Sequence, residues 1–373
     1  MYTNNSILLS MKSRIRYFFI AVFTVLGVHG TANAQDNPLT FYGDVRVGHI
    51  GNDTNADGLG GNNSLLRIRP GIKYLFNENH SFSGRLAYLV SVEFEDFDVS
   101  LEADYNNRAL AYGTLGIDEL YYQYSDAKNL LKVGRFQQSF NVLSNAQRSH
   151  FKFQSNANFV HWTDGVQYRR YLNNGWFGEA IVEFHEANVS YPYSFGLDFD
   201  GDHLNVASFL NFEHRQRDEN NIIQKGFTVM WAPHTYIQGS TANDFIRDDY
   251  LAISSRIAYD LPKPDALEGG SIRITGEIGT NLHDRIENAY SMVASFGINN
   301  YADKHELMVE LAKTGSQWLT ASSYARNADE LEIRYRFHFS PKFNMDFRYR
   351  IRNYRIDGVA NRYSTFIRAT YKF

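Results

Sequence analysis

Apolar and polar side chains alternate with a period of two through sixteen separate segments of this chain. Only a strand sends successive side chains to opposite faces, so the pattern predicts strands almost throughout. The segments are marked by Phe41, Val45 and Val47; Leu66 to Phe76; Phe82 to Phe94; Leu120 to Tyr124; Leu131 and Val133; Val166 and Tyr168; Trp176 to Phe184; and Leu204 to Phe212. They continue with Phe227 to Trp231; Leu251 to Leu261; Ile272 to Ile278; Tyr290 to Ile298; Leu307 to Leu311; Leu331 to Phe339; Phe343 to Ile351; and Tyr363 to Phe373. No stretch carries the 3.6-residue period of an amphipathic helix. The stretch FNMDFRYRIRNYR (343–355) is the extreme case. Arg348, Arg350 and Arg352 share one parity, while Phe343, Met345, Phe347, Tyr349 and Ile351 share the other.

The connections sort into two alternating sets. Short ones fall at 77–80, 126–128, 173–174, 216–221, 301–303 and 341–342, with 262–269 somewhat longer. Long ones fall at 51–63, 98–112, 139–159, 190–202, 235–247 and 315–328, with 283–287 and 357–361 brief. Hairpins that cross a membrane sort their loops in this way, and a water-soluble sandwich has no reason to. In hydrocarbon an unpaired sheet edge costs several kcal/mol per backbone group, so a membrane sheet must close on itself. An Arg facing lipid at the midplane costs roughly 2 to 4 kcal/mol, which makes a one-residue slip of strand 343–355 prohibitive. The expected fold is all-β: a transmembrane antiparallel up-and-down β-barrel of about 16 strands, with short periplasmic turns and long external loops. A closed barrel of that size leaves an aqueous channel.

Residues 1–34 read as an export signal. Lys12, Arg14 and Arg16 precede the apolar run YFFIAVFTVLGV (17–28), and the small-residue site ANA (32–34) follows, with Met11 as an alternative start. The apolar run is short of the roughly 20 residues that span a membrane. Residues 35–373 then form the barrel domain. The chain has no Cys, which excludes disulfides, thiolate metal sites and cysteine nucleophiles. A net charge of -4 gives no argument for a nucleic-acid partner.

Three stretches carry a family resemblance: LTFYGDVRVG (39–48) as the first strand after the signal, LKVGRFQQSF (131–140) entering the third long loop, and the ending FIRATYKF (366–373). With them the chain resembles a Gram-negative outer-membrane porin of the 16-stranded kind. The resemblance implies a place in the cell outer membrane, in contact with lipid and lipopolysaccharide. It implies recognition of Tyr371 and Phe373 by the barrel-assembly machinery, assembly as a homotrimer, and no cofactor. It also implies that the third loop, 139–159, folds inward as a constriction. That loop carries Arg148, His150 and Lys152 where the most familiar porins carry an acidic cluster.

The lumen chemistry follows from parity. Arg46, Arg67, Arg69, Lys73 and Arg85 belong to the first three strands; Arg334, Arg336, Arg348, Arg350, Arg352, Arg368 and Lys372 belong to the last three, which closure makes neighbours. Glu179, Glu183, Glu213, Glu277, Glu306 and Glu310 are expected on the opposite wall. Facing walls of opposite sign sort ions and orient dipolar solutes. With Arg148 and Lys152 on the loop, the expectation is a weakly anion-preferring channel for small polar solutes. An alternative is a specific channel for oligosaccharide or phosphate-type anions, with Tyr121 or Phe209 as a binding track. The bland alternative is a set of solvated charges in cross-strand pairs. A tight turn at Pro341 sets Arg336 opposite Asp346, Glu332 opposite Arg350, Glu330 opposite Arg352 and Arg334 facing Arg348. A second hairpin centred near Val359 puts Arg368 beside Arg350, leaving an unbalanced cluster of Arg334, Arg348, Arg350 and Arg368.

Other constellations carry less. His161, His185, His203, His214 and His234 lack the spacing of metal ligands on one face. Asp198, Asp200 and Asp202 lack the downstream glutamate of a calcium loop. Trp162, Trp176 and Trp231 suit interfacial girdles better than a sugar-stacking track. An outer-membrane hydrolase needs a Ser and His pair on one outward rim, and no such pair with an orienting group is legible.

Overall fold

The computed structural model describes residues 38–54, 62–91, 98–99, 110, 112–152, 160–185, 198–199, 205–238, 245–261, 270–283, 286–320 and 323–373. The expected export signal, Asp200, Asp202, His203 and parts of the loops at 51–63, 98–112, 139–159 and 190–202 lie outside the described residues. The chain divides into residues Met1–Thr40, of which only the end is described, and Phe41–Phe373, the barrel unit.

The strands are β1 (Leu39–Thr54), β2 (Asn62–Leu75), β3 (His80–Ser91), β4 (Asp98–Val99), β5 (Thr114–Ser125), β6 (Asn129–Phe136), β7 (Thr163–Tyr171), β8 (Trp176–Phe184) and β9 (Asp198–Phe199). They continue as β10 (Val206–His214), β11 (Ile222–Gln238), β12 (Phe245–Asp260), β13 (Ser271–Asn281), β14 (Tyr290–Tyr301), β15 (His305–Thr314), β16 (Ala328–Ser340), β17 (Phe343–Tyr354) and β18 (Arg362–Lys372). The two-residue pieces β4 and β9 are side pairings on β5 and β11. The other sixteen pair antiparallel in chain order, and β1 pairs with both β2 and β18, so the sheet closes with no free edge. All sixteen alternating segments of the sequence are strands of this barrel.

Alternation places the side chains as expected. In β14, Ser291, Val293, Ser295 and Asn299 are buried inside, while Met292 and Phe296 are exposed outside. The outer face is a band of large apolar residues, among them Phe82, Leu120, Val166, Leu210, Ile257, Ile278, Leu311, Ile333, Phe347 and Ile367. Burial of such a band needs hydrocarbon, since isolated exposed apolar side chains are ordinary but a continuous belt is not.

Among the described residues, two loops enter the lumen. The third long loop does so as the resemblance implies: Phe140 and Phe151 pack with Phe209, Ile181, Met230 and Tyr250 from the inner faces of β8 to β12. The connection at 315–328, expected as an external loop, also turns inward, and Trp318 and Leu319 complete the same apolar cluster. The cause is apolar content: Trp318 is fully buried there and removes more surface from water than any other side chain of the loop. Gly279 makes room for it. A Cβ at Gly279 would lie 2.7 Å from the Trp318 indole.

Candidate functional site

The β1–β5 side of the lumen is a chain of arginines on three carboxylates. Asp44 takes Arg46 at 2.8 Å, Arg67 at 2.5 Å and Arg69 at 2.5 Å. Asp118 takes Arg69 at 3.2 Å and Arg85 at 2.8 Å, and Glu119 takes Arg85 at 2.8 Å and the Tyr42 hydroxyl at 2.5 Å. Sequence parity misplaces Asp118, which shares the parity of the outward Leu120 and Tyr122. A β-bulge explains it: the β3–β5 register slips between Arg85/Leu86 and their partners Glu119/Ile117, leaving Asp118 unpaired in the ladder. A bulge turns two successive side chains to one face, so Asp118 and Glu119 both point inward and are both buried. Asp44 was legible by its shared parity with Arg46.

On the β15–β18 side the first hairpin pairs as the sequence predicts: Arg336 with Asp346, Glu332 with Arg350, Glu330 with Arg352, and Arg334 with Arg348. The second hairpin is a correction. Arg368 lies opposite Asp346 and Arg350 opposite Ser364. The turn closes at Ile356 to Val359, where the Val359 amide donates to the Ile356 carbonyl at 3.1 Å and Gly358 takes a positive φ of 76°. Such a turn favours Asp-Gly at its centre, which moves the hairpin centre from Val359 to Asp357 and brings Arg368 to the Asp346 carboxylate. Asp346 therefore holds Arg336 at 2.7 Å together with Arg368. Glu332 holds Arg350 at 2.5 Å and Arg334 at 3.3 Å. Arg348 is the outlier. Its Nε stands 3.9 Å from Glu332 and has no hydrogen-bond partner among the described residues, and its guanidinium lies 4.4 Å over the Phe366 ring.

Two of the six glutamates expected on the opposite wall are displaced. Glu306 and Glu310 sit on β15, beside the basic strands, because antiparallel pairing places Glu306 against Arg336. Glu306 binds Arg336 and His338, each at 3.0 Å. Glu179, Glu183, Glu213 and Glu277 lie on β8, β10 and β13. Glu179 accepts from Arg169 at 2.7 Å, and Glu213 lies 3.4 Å from Arg256.

The basic residues of the third loop turn toward carboxylates of the wall. Arg148 reaches Glu310 at 2.9 Å, Glu332 at 3.0 Å and Glu330 at 3.1 Å. Burial opposes its charge, but Glu332, Glu330 and Glu310 outweigh burial and raise its pKa. Lys152 pairs with Glu183. His150 is fully buried; its Nε2 donates to the Met292 carbonyl at 3.0 Å. Burial, reinforced by Arg148, pushes its pKa down to about 3, so the ring is neutral. Glu277 accepts from the His150 amide at 2.9 Å and from Ser149 Oγ at 3.3 Å. Arg148 and Lys152, expected to face passing solute, are thus anchors, because a buried cation needs the compensation that these glutamates supply, and His150 is held as a neutral ring on the Met292 carbonyl. Phe209 is likewise no track: it is buried between Phe140 and Phe151. Tyr121 packs with Phe136 and the Lys132 ammonium at 5.1 Å.

Of the remaining sequence candidates, Tyr371 faces outward and stacks on Phe373, whose amide donates to the Gly43 carbonyl at 3.2 Å. Trp231 is exposed and donates to Asp249 at 3.0 Å. Trp176 stacks on Phe212, and Trp162 lies over Arg135 at 4.4 Å. Among the described residues no three His, Asp or Glu side chains converge as metal ligands.

No protein-family model and no curated protein matches the sequence. Solved structures do match. Pseudomonas putida OprB superposes with a TM-score of 0.64 at 9% identity, covering 91% of this chain and 95% of that one. Pseudomonas aeruginosa OccK2, solved with glucuronate, gives 0.56 at 12% identity over 92% of this chain and 99% of that one. Salmonella typhi OmpF, in complex with daunomycin, gives 0.54 at 13% identity over 90% and 98%. At these identities the likeness is one of architecture, and the chain has the closed sixteen-stranded barrel fold of the outer-membrane porins.

Proposed function

We propose that this chain is an outer-membrane channel through which small polar solutes diffuse, with a mild preference for anions. The observation that carries the reading is that several wall arginines stand in front of their carboxylates, although Arg67 and Arg256 are fully buried. Arg46 is 18% exposed and its partner Asp44 6%; Arg348 is 15% exposed and Glu332 1%; Arg352 is 20% exposed and Glu330 2%. A solute therefore meets guanidinium first, although the chain as a whole is acidic. The carboxylates behind partly cancel the field, which makes the preference mild. The third loop crosses the lumen from β8 to β16, where Arg148 meets Glu310, Glu330 and Glu332, so on this reading the passage runs along the arginines of β1 to β3, β17 and β18.

The reading includes export by residues 1–34, recognition of Tyr371 and Phe373 by the assembly machinery, a lipopolysaccharide-containing membrane around the apolar band, and a homotrimer. It needs no cofactor, catalytic residue or nucleic acid. The test is the reversal potential of the reconstituted full chain across a KCl gradient. Chloride preference is expected. Clear potassium preference overturns the anion reading, and no conductance overturns the channel. A second reading, a channel specific for anionic sugars, is favoured by the arginine wall and by the fold shared with OccK2, which was solved with glucuronate. Block of the current by micromolar glucuronate separates it from general diffusion.

A further inference from the structure

The segment of the third loop that crosses the lumen, Arg148 to His150, is held from two sides. Strand carboxylates hold one side. The other side is held by the β15–β16 loop. Trp318 Nε1 donates to the His150 carbonyl at 2.8 Å, and Thr320 Oγ1 donates to the same oxygen. The Ser323 amide donates to the Ser149 carbonyl at 2.9 Å, and Arg148 returns a bond to the Ser323 carbonyl at 2.8 Å. The Tyr324 ring stacks on His150 at 4.1 Å and lies 3.9 Å from the Arg148 guanidinium. The second loop has its own anchor in the wall. The Tyr250 hydroxyl on β12 donates to the Gln317 carbonyl at 3.2 Å and accepts from the Leu319 amide at 3.0 Å, bracketing Trp318.

A loop crossing a water-filled lumen would ordinarily leave its carbonyls to water. Here the carbonyls of Ser149 and His150 are taken by protein donors from a second loop. Removing one side of such a clamp frees the segment without dissolving the salt bridges on the other side. We propose that the β15–β16 loop sets the aperture, with Trp318 and Tyr250 as positioning residues that act through the third loop. This rests on the reading of the barrel as a channel, and it adds a determinant of conductance that lies outside the third loop and outside the arginine wall.

The test is single-channel recording of the full chain in planar bilayers for the wild type, Trp318→Ala, Trp318→Phe and Tyr250→Phe. Trp318→Ala and Tyr250→Phe are expected to shift the open conductance upward and to add flicker, with the reversal potential unchanged because the arginine wall is intact. Trp318→Phe keeps an aromatic ring in the cluster but removes the indole donor to His150, so it is expected to fall between wild type and Trp318→Ala. Tyr250→Phe removes one oxygen only and keeps the experiment decisive if Trp318→Ala does not fold. Variants that conduct as steadily as the wild type, at the same level, overturn the proposal while the channel reading stands. A wild type without conductance overturns the channel reading itself.

Discussion

Arg348 Nε and Glu332 Oε2 lie 3.9 Å apart, while Arg350 holds the same oxygen at 2.5 Å. Glu332 is thus committed elsewhere, and Arg348 retains most of its charge toward the lumen. A unit charge about 4 Å from an ion in water is worth about 1 kcal/mol, roughly a fivefold ratio. Arg348→Gln is therefore expected to weaken chloride permeation by up to about fivefold, and to ease potassium permeation by a similar factor, by that Coulomb estimate. Arg368→Gln is expected to do less, since Arg336 stays on Asp346 and neutralises the carboxylate left behind. Reversal potentials of the two variants, measured side by side, decide it; equal shifts contradict the pairing.

His150 supplies a pH prediction. Docked, its pKa is about 3, from burial and the neighbouring Arg148. In an undocked, solvated loop it returns to about 6.5. Because the docked value is the lower one, the undocked loop binds the extra proton, so docking is at full strength above pH 6.5 and weakens as pH falls from 6.5 toward 3. By pH 5 the loss is about 2 kcal/mol. Channel noise is expected to rise between pH 7 and pH 5 in the wild type and not in His150→Gln. A flat wild-type response would mean that the loop stays docked despite that loss.

The strands were legible because hydrocarbon outside and water inside allow one parity only, and closure leaves no edge. The β16–β17 register was legible because the hairpin is centred on Pro341 from His338–Asn344 onward; a one-residue slip at Phe339 separates those pairs from the turn-closing pair Ser340–Phe343. The β17–β18 register depended on which residues of a longer turn sit at its centre, and Asp357-Gly358 was the signal to weigh. The Asp118 bulge leaves no trace in alternation. The loop contacts were illegible because they join residues far apart in sequence: Arg148 and Glu310 are 162 positions apart, and nothing in either neighbourhood encodes the other.

Arg148 reaches three buried glutamates. Removing one partner of a buried ion pair costs roughly 3 to 5 kcal/mol when the charge left behind is unpaired; here that charge is Glu310, since Glu332 keeps Arg350 and Glu330 keeps Arg352. Arg148→Met is expected to lower the thermal unfolding midpoint of the detergent-solubilised barrel far more than Arg46→Met. Arg148→Lys is expected to recover only part of the loss, since a single ammonium cannot span the separate glutamates that the guanidinium fork reaches. Unfolding followed by heat-dependent gel migration gives the ranking.

Gly279 and Trp318 form a complementary pair whose fit can be tested by adding volume. An alanine Cβ at position 279 would lie 2.7 Å from the Trp318 ring and 2.8 Å from Ser291 Oγ. Overpacking of this kind costs roughly 1 to 3 kcal/mol, and the strand backbone, locked in its ladder with β12 and β14, cannot give way. The indole must move, and with it the His150 carbonyl that it holds. Gly279→Ala is therefore expected to destabilise the barrel by that amount and to make the current noisier. Trp318→Phe removes the ring atoms that clash, so in its presence Gly279→Ala should cost measurably less. A double-mutant cycle read by thermal unfolding checks the coupling. Additive effects would mean that the added methyl is absorbed by Ser291 and that the glycine is not what admits the indole.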